Sequence, residues 1–87
     1  MAALHIVNRQ AALAACLAIR ANREPLMLIE DAVYCALSEV SVPCYAQRRD
    51  LIARGLEERV HASIQIIDDA AFVNLTIDHT PAVTWTC

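Results

Sequence analysis

Glycine is almost missing from this chain: Gly55 is the only one in 87 residues. A P-loop or a dinucleotide-binding fingerprint needs at least two, so nucleotide chemistry of those kinds has nothing to build on. Aromatic residues are scarce at 5%, while 57% of the chain is hydrophobic and dominated by alanine. The chain therefore has many small apolar faces and few large side chains to fill a core. No uncharged apolar run approaches the roughly 20 residues needed to cross a bilayer. Gln10 to Ile19, with Arg9 before it, has the look of a signal-peptide core. It is closed by Arg20 and Arg23 and preceded by a strand-like Ala3 to Val7, so a cytoplasmic setting is expected. The formal net charge is −3, which argues against direct binding of nucleic acid, where Lys and Arg neutralise phosphates. Cys16, Cys35, Cys44 and Cys87 include no Cys-x-x-Cys pair and no zinc-like spacing. No metal and no cofactor is expected, and the thiols should be free in a reducing compartment.

At this length residues 1–87 make one domain, near the size where folding buries only a little over ~60% of the unfolded surface. The apolar excess over so thin a core suggests a protein interface, with an alanine-rich helical surface as the plain alternative.

Leu4, Ile6 and Val7 make a first strand, and Gln10 to Ala21 a helix. Pro25 opens Leu26-Met27-Leu28-Ile29, a continuous apolar run suited to a strand covered on both faces. Asp31 is a natural N-cap for a helix over Ala32 to Ser38. Val42 to Ala46 reads as the third strand, Arg48 to Arg54 as a short helix ended by Gly55, Ile64 to Ile67 as the fourth strand, and Asp69 to Asp78 as a last helix capped by Asp68. Leu56 to Ala62 reads as a solvated connection. Strand-helix alternation without hairpin dipeptides predicts an α/β fold: a small open parallel sheet of about four strands, helices on both faces and right-handed crossovers.

Cys16 lies in the first helix with Arg20 at i+4, a spacing at which a cation favours the reactive thiolate. It is the candidate sulfur nucleophile and Arg20 its candidate stabiliser; the competing reading is a small hydrophobe in an alanine-rich helix. Cys35 falls beyond the carboxyl end of the second strand, where open parallel sheets place ligands, but among apolar neighbours. Cys44 is a strand-core residue and Cys87 a terminal one. His5 reads as a satisfied core histidine, and His79 as a complement to the negative end of the last helix. Asp68-Asp69 are explained by capping. Arg48, Arg49, Arg54 and Arg59, interleaved with acids, read as a solvated face, with Asp50 and Arg54 paired at i, i+4.

Taken in order, Leu4-His5-Ile6-Val7-Asn8, Leu28-Ile29-Glu30-Asp31-Ala32-Val33-Tyr34, Asp50-Leu51-Ile52-Ala53-Arg54-Gly55-Leu56, Ile67-Asp68, Phe72-Val73-Asn74-Leu75-Thr76 and the late Trp85 resemble the TusB/DsrH family of sulfur-relay subunits. The resemblance implies a DsrE-like domain that joins two related DsrE-like partner subunits in a cytoplasmic heterohexamer. Such a complex passes persulfide sulfur between donor and acceptor proteins, toward 2-thiolation of the tRNA wobble uridine in one branch and for dissimilatory sulfur oxidation in the other. The principal sulfur-carrying cysteine belongs to the DsrE/TusD-type partner. Cys16 falls where some members carry a first-helix cysteine. The chain departs from the pattern by shorter connections after Asn8 and between Ser38 and Val42, and by Ala32 where a glycine is usual. A scaffold subunit that never holds sulfur, and an independent thiol enzyme, are the readings of other classes.

Overall fold

A computed structural model describes residues 3–20 and 24–86. Five parallel strands form one sheet in the order β4-β3-β2-β1-β5: β1 (Leu4–Val7), β2 (Leu26–Leu28), β3 (Cys44–Gln47), β4 (Gln65–Ile67) and β5 (Ala82–Trp85). The α/β class and open parallel sheet match the sequence expectation. β5 is a fifth strand beyond the four read from the sequence, docked in parallel on β1 with Leu4 opposite Ala82 and Val7 opposite Trp85. It was illegible because Ala82, Val83 and Thr84 are all exposed, so no alternation of buried and exposed positions marks it.

The layers follow from strand order. β1 to β2 to β3 to β4 proceeds in one direction across the sheet, and β4 to β5 returns to the far edge. With right-handed crossovers the first three connections share a face and the last lies on the other. Accordingly α1 (Leu13–Ile19), the 3-10 helix Glu30–Leu37 and α2 (Arg48–Ala53) cover the first face, where Val7, Leu26, Leu28, Cys44 and Ala46 meet Cys16, Val33, Ala36 and Leu51. Among the described residues α3 (Asp69–Asp78) alone covers the second, packing Ala71, Phe72 and Leu75 toward Leu4, Met27 and Ile67. β2 lies between β1 and β3, and all three of its residues are fully buried.

The first helix is a 3-10 turn, Gln10–Ala12, running into α1; Ala21 and Arg23 lie outside the described residues. Gly55 performs the predicted C-cap: at φ 67 it lets its N–H reach Ile52 O (3.1 Å) and Leu56 N–H reach Leu51 O (2.9 Å), a Schellman closure. Leu51 and Leu56 are buried in the same cluster, so the predicted solvated connection is anchored at its first residue. Asp68 caps α3 as expected, its Oδ1 accepting from Ala71 N at 2.9 Å. Asp31 does not cap its helix. The N-cap is Ile29, without a side-chain bond, and Glu30 enters at φ 50 with its N–H donated to Asp50 Oδ2 at 2.8 Å. Asp31 thereby sits inside the first turn and faces Arg54.

Candidate functional site

Each described thiol sits on the first-face core. Cys16 is completely buried and Cys44 is 4% exposed, while the half-buried Cys35 packs against the same cluster. All three are unpaired. Burial pushes the Cys16 thiol up from its ordinary value; Arg20 acts in the opposite direction, as the spacing predicts, but is the smaller influence, and Glu24 adds to the rise. Burial likewise raises Cys35. Cys44 is pushed up to about 12 by burial, with Cys35 a second contribution. All three thiols therefore rest protonated at neutral pH, withdrawn from solvent to different degrees. Cys87 lies outside the described residues.

The carboxyl ends of the strands hold polar groups instead of thiols. The connections leaving β3 and β4 turn to opposite faces, which makes the crevice between them the place where an open sheet admits a ligand. That crevice, about 270 Å³, is lined by Gln47, Arg48, Arg49, Ile52, Asp68 and Asp69. Gln47 is 1% exposed and donates from Nε2 to Asp69 Oδ1 at 2.6 Å; Arg49 reaches Asp69 Oδ2 at 3.2 Å. A second hollow of about 470 Å³ is lined by Asn8, Arg9, Glu30, Asp31, Arg54 and Thr86. There Arg54 donates from Nε and Nη2 to Asp31 Oδ1 at 3.1 and 2.8 Å, and from Nη1 to the Asp50 carbonyl at 3.1 Å. Arg54 is thus a fixed tie between α2 and the helix after β2, contrary to the solvated face read from the sequence. The Asp50–Arg54 pair is present at 3.9 Å. Gln47 went unnoticed in the sequence; its signal was a polar residue closing the third apolar strand.

His5 is the satisfied core histidine predicted: 6% exposed, it meets Glu24 Oε1 through Nε2 at 2.8 Å and the Trp85 Nε1–H through Nδ1 at 3.0 Å. His79 closes α3, its Nδ1 3.3 Å from Leu75 O. His61 is tied locally to Ser63. Among the described residues no three His, Cys, Asp or Glu side chains are grouped to hold a metal ion.

The DsrH like protein family model matches residues 7–82, from the end of β1 to the start of β5. The chain belongs to this family. Its relatives include Protein TusB of Escherichia coli O81 (strain ED1a), 34% identical over 94 aligned positions that cover 94% of this chain and 99% of the relative. Protein TusB of Pectobacterium carotovorum subsp. carotovorum (strain PC1) is 34% identical over 71 residues, 71% of this chain and 75% of the relative. Protein TusB of Photorhabdus laumondii subsp. laumondii is 32% identical over 74 residues, 75% of this chain and 78% of the relative. The family match takes in every helix described above and the whole of β2, β3 and β4. No helix among the described residues is long and apolar enough to cross a membrane.

Proposed function

We propose that this chain is an accessory subunit of a cytoplasmic sulfur-relay complex, a heterohexamer with two DsrE-like partner subunits, that passes persulfide sulfur toward 2-thiolation of tRNA wobble uridine. The observation that carries the reading is family membership over residues 7–82, with a TusB relative of nearly matching length. That naming also adds weight to the tRNA branch over sulfur oxidation, the alternative for a DsrH-type subunit. The accessory role is supported by the thiols: a relay station needs an accessible thiolate, and Cys16 is fully buried with its thiol pushed up. Assembly is supported by Ile19, Ile52, Val73 and Ile77, large apolar side chains more than half exposed on α1, α2 and α3. With a net charge of −3, contact with RNA falls to a partner.

A carrier role for Cys16 is the second reading, favoured by the Arg20 charge, which stabilises a thiolate there. In it the Cys16 thiolate attacks the outer sulfur of a donor persulfide, forming a Cys16 persulfide and releasing the donor thiolate. It requires that assembly uncover Cys16.

Co-expression with two DsrE-like subunits, followed by sizing and native mass spectrometry, tests the assembly. A stable complex holding equal numbers of the three chains is expected. A monodisperse monomer that ignores both partners would overturn it. Restoration of 2-thiouridine in a strain lacking this subunit tests the branch; assembly without restored thiolation would instead favour sulfur oxidation.

A further inference from the structure

β5 pairs with β1 through its backbone along four residues, and one of its side chains anchors it to the core. Ala82, Val83 and Thr84 are exposed, whereas Trp85 is half-buried against the first-face core. Its ring lies beside His5, centroids 6.0 Å apart and planes inclined by 37°. An indole N–H can only donate, so the 3.0 Å bond from Trp85 Nε1 requires a bare lone pair on His5 Nδ1. The single proton of the neutral imidazole must then sit on Nε2, where it is donated to Glu24 Oε1 at 2.8 Å. Glu24 Oε2 accepts in turn from Ala3 N at 3.1 Å. Neutral His5 of this one tautomer satisfies both neighbours.

We infer that His5 is an acid-sensing latch for the edge strand, releasing Trp85 and β5 when its Nδ1 takes a proton from solvent. The protonated ring has N–H on both sides, so Trp85 Nε1–H faces another donor and its bond is lost, while the bond to Glu24 becomes an ion pair and persists. Proton uptake is therefore directional: β1 keeps its grip on Glu24 and drops β5. The charged group in contact with the ring among the described residues is the Glu24 carboxylate. Cys16 of α1 and Arg20, the C-cap of that helix, are the nearby groups on that element, and both Arg20 and Glu24 act on the Cys16 thiol. β5 contributes only the indole, and β2 presents the apolar Leu26 opposite His5. Once free, β5 leaves the β1 edge open, including the Asn8 amide that donates to Trp85 O at 3.3 Å.

The full chain carries its own reporter, since Trp85 is the only tryptophan. Acidification from neutral pH should shift its emission to longer wavelength and unprotect the Asn8 amide while the β2 amides stay protected from exchange. His5→Asn sets a carbonyl oxygen near the place of Nδ1 that accepts from the indole without titrating, and should leave the emission flat. A proton found on Nδ1 at neutral pH by imidazole 15N shifts would overturn the latch. So would flat emission in the parent chain, or an equal shift in His5→Asn. Should that variant not fold, Trp85→Phe serves: an Asn8 amide unprotected already at neutral pH supports the latch, and one still released only by acid refutes it.

Discussion

Replacing Cys16 by alanine and by serine separates packing from sulfur chemistry. Cys16 is fully buried in the cluster with Ala12, Leu26 and Leu28. Alanine removes only the sulfur, a loss of roughly 1 kcal/mol of burial plus a small void. Serine fills the space but places a hydroxyl in an apolar site, which costs about 1–3 kcal/mol unless it bonds back to a carbonyl one turn earlier. For a domain of this size each kcal/mol is worth about 4–8 °C in Tm, so melts followed by circular dichroism should place Cys16→Ala several degrees below the parent and Cys16→Ser equal or lower. In the assembled complex Cys16→Ala should retain the parent's rate of sulfur transfer, because the thiol does no chemistry in the accessory reading. In the isolated chain, pulse alkylation with peptide mapping should label Cys16 only as fast as the fold opens. Labelling of folded Cys16 at the rate of a peptide thiol, or loss of transfer in a Cys16→Ala complex of unchanged stability, would refute the reasoning.

The Cys44 thiol makes stability fall in alkali. Its value is raised to about 12 in the fold, so above the ordinary thiol range, near 9.0, the unfolded chain has fewer bound protons and stability declines with rising pH until the folded value is passed. The loss is on the order of 4 kcal/mol across that window; in denaturant melts Cys44→Ala should flatten its share of the pH dependence, and an unchanged slope would contradict the assignment. Gly55→Ala meets no atom within 4 Å of the added Cβ, so only the positive φ resists it. The expected penalty is about 1–2 kcal/mol by denaturant titration, and a neutral result would mean that the Schellman turn had rearranged.

Much of the local structure was legible because it depends on neighbours in sequence. Gly55 after Leu51-Ile52, Asp68 before an apolar helix and the unbroken Leu26 to Leu28 run each state a requirement that few residue types satisfy. Asp31 misled because the capping rule concerns local chemistry alone, while the turn was set by Asp50 bonding Glu30 N from another helix. Arg54 looked solvated for the same reason: its partner Asp31 is 23 residues away. β5 gave no periodic signal, since an edge strand with three exposed residues obeys pairing with β1 and not burial.

The sequence by itself determined the α/β class, the caps of α2 and α3 and, by the order of its motifs, the family. Tertiary structure alone decided the burial of Cys16 and the direction in which its thiol is shifted. The i, i+4 guanidinium is a sequence fact, but the opposing desolvation comes from the sheet packed beneath α1, and it prevails. It likewise decided that His5 has one permitted tautomer, because Glu24 and Trp85 reach it from 19 and 80 residues away. Short-range rules settle backbone geometry. Burial and long-range hydrogen bonds set protonation, and they exist only once the chain is folded.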